Sequence, residues 1–185
     1  MNIKKNFLII LVGLPASGKT TFANIVKKKL NLHYQAEVKI IDPDLIRYKL
    51  TPTTFDFQIE PRVRKETLEK VREHLKKGMI VISDDLNYYS SMRHDLKSIA
   101  DDLKTKYYTI HISASLELCL ERNKSRSKPI PDDVIQGIYK KFDSFKKYRW
   151  DYAFKTYNST PSSDPVKFIE ELIKEISEDL KKKKK

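Results

Sequence analysis

The sequence predicts an α/β fold, a parallel five-stranded sheet flanked by helices. Three observations support this. Short apolar runs alternate along the chain with amphipathic stretches, the pattern of strands joined by crossover helices. The first apolar run passes directly into a glycine-bearing loop and then a helical pattern. Finally, 185 residues with no internal repeat are the size of one domain with a sizeable core.

The elements follow in order. Phe7–Val12 reads as a buried strand, and Lys19–Leu30 as a helix with Phe22, Ile25, Val26 and Leu30 on one face. Val38–Ile41 is a second strand, Leu45–Leu50 a short helix and Thr51–Pro61 a loop. Arg62–Lys77 is helical, with Val63, Leu68, Val71 and Leu75 as its stripe and Gly78 at the capping position. Met79–Ser83 is the third strand. Ser90–Lys104 is a helix capped by Ser90 or Ser91, with Leu96, Ile99 and Leu103 facing in. Tyr107–Ile112 is the fourth strand and Ser115–Asn123 a helix. A basic, proline-bounded stretch, Lys124–Pro131, leads into a helix over Asp132–Phe145. Tyr152–Tyr157 is the fifth strand and Thr160–Asp164 a linker. Asp164-Pro165 supplies a cap and a first-turn proline for a last helix, whose face is Val166, Ile169, Ile173, Ile176 and Leu180. Residues 1–180 are expected to form the domain and 181–185 a disordered lysine tail.

Between the first strand and helix stands Gly13-Leu14-Pro15-Ala16-Ser17-Gly18-Lys19-Thr20-Thr21. Two glycines, a lysine and a threonine at this spacing, in this context, form a P-loop. Its backbone N–H groups, the positive helix end and the Lys19 ammonium converge on one anion, a nucleoside triphosphate such as ATP. The Thr20 hydroxyl is placed for Mg²⁺. The class sharpens to a P-loop kinase-type sheet.

Phosphoryl transfer also needs a carboxylate near the metal and a base near the acceptor hydroxyl. The third strand ends in Asp84-Asp85, which reads as a metal-side pair with Asp84 in front; helix capping is the alternative. The second strand ends in Asp42-Pro43-Asp44, with Arg47 three residues on. Asp44 suits a general base and Arg47 a phosphate clamp, against the alternative that Asp42 or Asp44 only caps a helix. Arg122 and Arg126, at i and i+4, would project from one side and clamp the transferring group from a lid. The alternative is a solvated basic turn.

The net charge is +12, of which five charges sit in Lys181–Lys185. The rest cluster at Lys27–Lys29, Lys76–Lys77, Lys124–Lys128 and Lys146–Arg149. A polyanion, nucleic acid above all, fits this distribution; a surface decorated with lysine fits it equally. The single Cys119 allows no internal disulfide and reads as a small buried residue, so a cytoplasmic location is expected. No run is long enough for a spanning helix, and no membrane partner is expected.

Several stretches resemble, in order, the kinase domain of the O-phosphoseryl-tRNA(Sec) kinase family (L-seryl-tRNA(Sec) kinases), the archaeal type above all. They are the P-loop, Pro43-Asp44-Leu45-Ile46-Arg47, Asp84-Asp85-Leu86-Asn87-Tyr88-Tyr89-Ser90-Ser91-Met92-Arg93, Leu120-Glu121-Arg122-Asn123 and Ile130–Ile135. Lys141-Phe142-Asp143 and Lys147-Tyr148-Arg149-Trp150-Asp151 are similar too. The resemblance implies ATP- and Mg²⁺-dependent phosphorylation of the seryl hydroxyl of seryl-tRNA(Sec), on the route to selenocysteine. It implies Lys19 and Thr20 for phosphates and metal, Asp44 as the base, Asp84 for the metal, and Arg122 and Arg126 in the lid. Asn87, Tyr88, Tyr89, Met92 and Arg93 would shape the acceptor side. Archaeal members carry a further helical tRNA-gripping domain; no separate domain of that kind is expected within these residues. Two other functions fit the same motifs. A polynucleotide 5′-hydroxyl kinase shares the Asp44–Arg47 spacing, and a nucleotide-gated RNA-binding assembly factor for tRNA modification shares the family resemblance. A dimer is compatible with all three.

Overall fold

The computed structural model describes residues 6–34, 37–51 and 57–182. Its five strands are β1 (Phe7–Val12), β2 (Val38–Ile41), β3 (Ile80–Ser83), β4 (Lys106–Ser113) and β5 (Lys155–Asn158). All pair in parallel, in the order β2-β3-β1-β4-β5. The helices are α1 (Lys19–Tyr34), α2 (Pro43–Leu50), α3 (Glu60–Lys76), α4 (Ser90–Asp102), α5 (Leu116–Lys124), α6 (Asp132–Lys140) and α7 (Pro165–Lys181).

β1 is apolar at every position because it is the central strand, covered on both faces. Phe7, Ile9 and Leu11 face one core with α1 and α7; Leu8, Ile10 and Val12 face the other with α3 and α4. The alternation is the strand's own period of two. Cys119 is fully buried, as a small apolar residue would be.

Several boundaries differ from expectation, each for a local reason. α1 runs on past Leu30 to Tyr34. α2 starts at Pro43, because the Asp42 carboxylate accepts from the Asp44 N–H at 2.8 Å and proline fits the first helical position. In the expected loop Thr51–Pro61, residues 52–56 lie outside the described ones. Phe57–Ile59 is a 3₁₀ turn, and Pro61 already sits in the first turn of α3. α4 takes its cap from afar: Asp143 accepts from the Ser90 N–H at 2.9 Å and the Ser90 hydroxyl at 3.0 Å, so neither Ser90 nor Ser91 is the cap. The same contact explains why α6 stops at Lys140 and not at Phe145; β5 begins at Lys155, where it pairs with Ile110 of β4. The intervening chain is held by tertiary partners. Lys181 closes α7; the rest of the expected lysine tail, residues 183–185, lies outside the described residues. No described helix is long and apolar enough to cross a membrane.

Candidate active site

The strand order places the loop after β1 beside the ends of β3 and β2. Ile10 and Ile41 both pair with Ser83, so the residues after these strands meet at one edge of the sheet, where open α/β folds bind ligands.

The P-loop is shaped by two left-handed residues, Ala16 (φ 60°) and Gly18 (φ 102°). This turns successive N–H groups toward one concavity. Gly13 is required by a close approach: a Cβ there would lie 2.6 Å from the Ile112 carbonyl oxygen of β4. Lys19 is buried and donates to the carbonyls of Gly13 (3.1 Å) and Leu14 (2.6 Å). Burial lowers its pKa to about 8, against the raising pull of Asp84 and Asp85. Such an ammonium gains from meeting a phosphate, whose negative charge would raise that pKa again.

Asp84 is buried and hydrogen-bonded by the Thr20 hydroxyl. Its Oδ2 has no partner, and neither has the Ser17 hydroxyl within the loop. Burial raises the Asp84 pKa, with Asp85 and Asp44 adding to the effect. Asp85 accepts from the Leu86 N–H at 2.7 Å and faces Arg64 at 3.7 Å. Asp42 is pushed up to about 6, first by burial, then by the charges of Asp44, Asp84 and Asp85. Among the described residues, no three acidic, histidine or cysteine side chains form a cage for a metal by themselves. The orphaned Asp84 oxygen beside the Thr20 hydroxyl nevertheless fits Mg²⁺, an ion that keeps most of its shell for water and phosphate oxygens.

Asp44 is exposed and ion-paired with Arg47. The guanidinium of Arg47 also grips Glu60 with two bonds, Nε–Oε1 2.6 Å and Nη2–Oε2 2.9 Å. The fork of Arg47, expected as a phosphate clamp, is engaged by carboxylates on both sides. Glu60 was not foreseen. A carboxylate at the first helical position after a long loop looks like an ordinary helix-dipole partner.

The two lid arginines do not share a helical face, because α5 ends at Lys124. Arg122 is half-buried and donates to the Ser17 carbonyl (3.3 Å) and the Ser159 hydroxyl (2.9 Å), bracing the P-loop from behind. Arg126 is exposed in the following turn, yet near enough to Lys19 to act on its ionisation. Asn123, also unforeseen, closes this turn. Its buried amide donates to the Ile130 carbonyl (2.6 Å) and accepts from the Ile130 N–H (3.0 Å). Beyond it, Lys128 sits 5.7 Å from the ring of Tyr48 on α2, so the turn reaches across toward the acid-lined edge.

The residues read as the acceptor side divide. Tyr88 and Tyr89 pack ring to ring at 4.1 Å, and burial pushes Tyr88 up to about 12. Met92 is half-buried, its carbonyl held by Arg64 at 2.8 Å. Asn87 (φ 45°) is buried, donating to the Leu11 carbonyl of β1 at 2.8 Å. Arg93 is 1% exposed. It forms a two-pronged pair with Asp151 (2.7 and 2.6 Å) and donates to the carbonyls of Asn87, Tyr88 and Asp143 at 2.9–3.2 Å. Asn87 and Arg93, expected on the acceptor side, are thus buried and bonded to β1 and to the loop that starts at Asp84. A signal existed in Arg93 itself, which falls at helical spacing on the stripe of Leu96 and Ile99.

The parallel sheet, the phosphate-binding nest and the Thr20–Asp84 contact define a P-loop protein of the kinase type. The chain belongs to the family described as "Chromatin associated protein KTI12", whose model matches residues 7–185. It is 38% identical over 172 residues to the L-seryl-tRNA(Sec) kinase of Methanococcus maripaludis, covering 92% of this chain and 66% of that protein. It is 28% identical over 167 residues to Protein kti12 of Schizosaccharomyces pombe, covering 86% and 59%. Among solved structures, Chaetomium thermophilum Kti12 in complex with ADP-AlF3 superimposes with a TM-score of 0.69 at 21% identity, over 91% of this chain and 97% of that one. The chain thus spans about three-fifths to two-thirds of the length of these curated relatives.

Proposed function

We propose that the chain is the phosphotransferase part of an ATP- and Mg²⁺-dependent kinase acting on the seryl hydroxyl of seryl-tRNA(Sec), with a cytoplasmic site of action. Lys19 and the amides of Gly13–Thr21 hold the outer phosphates. Thr20 and Asp84, with Asp85 behind, hold Mg²⁺, which supplies neutralisation of charge on the phosphate oxygens. Asp44, steadied by Arg47 and Glu60, accepts the hydroxyl proton as that oxygen takes the γ-phosphoryl group and ADP departs. Arg126 answers the charge that develops, while Arg122 braces the loop. Residues 1–180 act as the kinase domain.

The observation that carries the reading is the position of Asp44, in the first turn of α2 just after β2, the strand that pairs with β3, and near enough to Asp84 to influence its ionisation. A nucleotide site alone does not require that second carboxylate. The similarity to a named seryl-tRNA(Sec) kinase supports the acceptor. A second reading draws on the family match: a nucleotide-gated tRNA-modification factor that hydrolyses ATP without transfer.

The test offers ATP with charged seryl-tRNA(Sec) and with uncharged RNA bearing free 5′-hydroxyls, and identifies products by mass. O-phosphoserine on the charged tRNA is expected. Asp44→Asn should reduce its formation by about 10²–10⁴ while ATP still binds. Phosphate on uncharged RNA alone would move the assignment to a polynucleotide kinase. ADP release that survives Asp44→Asn, with no transfer by the parent chain, would favour the second reading.

A further inference from the structure

We infer that the loop spanning residues 146–152 is a stacking platform for an unpaired RNA strand. The inference rests on the reading of the acceptor as RNA-borne, and it adds where the strand lies.

The loop is irregular but built. The Lys146 N–H donates to the Asp151 carbonyl at 2.7 Å, and the Asp151 N–H to the Tyr148 carbonyl at 3.0 Å. Its base is fixed by the buried pair of Asp151 with Arg93. Lys146 is held at φ 73°, a left-handed conformation that lysine does not favour. A strained, anchored loop is a means of presenting side chains in one arrangement.

What it presents is aromatic and cationic. Tyr148 and Trp150 lie parallel, 6° apart with centroids at 5.8 Å, and His94 of α4 meets Trp150 edge-on at 5.1 Å. Tyr148 remains 46% exposed and Tyr152 52%. Lys147 stands 5.8 Å from the Tyr148 ring, and exposed Lys146 and Arg149 flank it. Among the described residues, Asp143 offsets part of this charge as an ion pair with Lys147, while exposed Lys146 and Arg149 keep theirs. Asp151 is taken by Arg93, Asp143 by Ser90 with Lys147 at 4.0 Å, and Asp95 by Arg64.

Exposed rings offer faces to bases, and the cations track phosphates; the pairing is that of single-strand binders. An acidic protein would use the cations but leave the rings without a purpose, and duplex RNA hides its base faces. The location fits as well. Just before the platform, the Asp143 N–H donates to the Tyr88 carbonyl at 2.9 Å, which ties the approach to the platform to the loop after Asp84.

The experiment measures binding of a labelled unpaired RNA strand, and of a blunt duplex, to the full chain by fluorescence anisotropy. Tyr148→Ala should weaken strand binding by about 5- to 150-fold, the loss of one stacked base, and Tyr148→Phe should restore it. Lys147→Gln with Arg149→Gln should flatten the salt dependence. Duplex binding and nucleotide binding should be unchanged by Tyr148→Ala. Unchanged strand affinity, or an equal loss on duplex, would overturn the platform. Transfer to seryl-tRNA(Sec) is scored separately. A chain that binds the strand through Tyr148 but transfers nothing keeps the platform and loses the kinase reading; a chain that transfers but ignores Tyr148 does the reverse.

Discussion

Two loops meet at the candidate active site and are held in different ways. The loop Gly13–Thr20 takes its shape from its own residues: left-handed Ala16 and Gly18, and a lysine folded back onto the carbonyls of Gly13 and Leu14. The loop Asp84–Tyr89 is held from outside, by Arg93 within α4 and, through it, by Asp143 and Asp151 more than fifty positions on. Only the second depends on a buried ion pair. The turn of the phosphate cradle is thus locally encoded, although its outer wall at Ile112 and Arg122 is not. The carboxylate beside it is positioned by the whole far side of the sheet.

This difference can be broken at either end. The largest effect is expected from Lys19→Ala, which should lower transfer by about 10²–10³ with little change in unfolding free energy, read by steady-state kinetics and urea melts. Arg93→Met should do the opposite in kind. Leaving Asp151 buried and unpaired should cost about 3–5 kcal/mol in a urea melt, and pairing the change with Asp151→Leu should recover most of it. A loss no larger than a surface pair gives, about 1 kcal/mol or less, would end the claim that this ion pair holds the loop. Asn123→Ala strips the Ile130 backbone of two hydrogen bonds. It should cost about 1–3 kcal/mol locally, seen as faster amide exchange over residues 124–130 while the P-loop stays protected.

The smallest effect concerns pH. Asp42 holds its proton up to about pH 6 in the fold, whereas the unfolded chain releases it in the ordinary carboxylate range. The folded state therefore binds more protons in that window, and stability from this group falls as pH rises toward 6. Asp42→Asn keeps a capping side chain for α2 and removes the titration. In metal-free buffer its melting temperature should match the parent near pH 4 and exceed it above pH 6; parallel curves would exclude the coupling.

The locally encoded half is also the legible half. β1, α1 and the Gly13–Thr20 loop follow from apolar pattern and motif spacing, and Asp84 falls opposite Thr20 because a parallel sheet brings strand ends together. What sequence order conceals are partners distant along the chain. Asp143 caps α4, so α6 ends five residues early. Glu60 engages Arg47, and Asn123 folds the turn that parts Arg122 from Arg126. Each is a polar residue whose nearest neighbours in sequence say nothing of the group it satisfies. Arg93 is the exception that a stricter reading of the helical stripe would have flagged.

The close approach of Gly13 to the Ile112 carbonyl bears on how the protein is made. The motif precedes β4 in the chain, yet one wall of its cradle is the backbone of β4, and Arg122 reaches it together with Ser159. A nascent chain exposed only as far as α4 carries every letter of the motif without the wall behind it. During synthesis, a site written ahead of β4, Arg122 and Ser159 is finished only after all three.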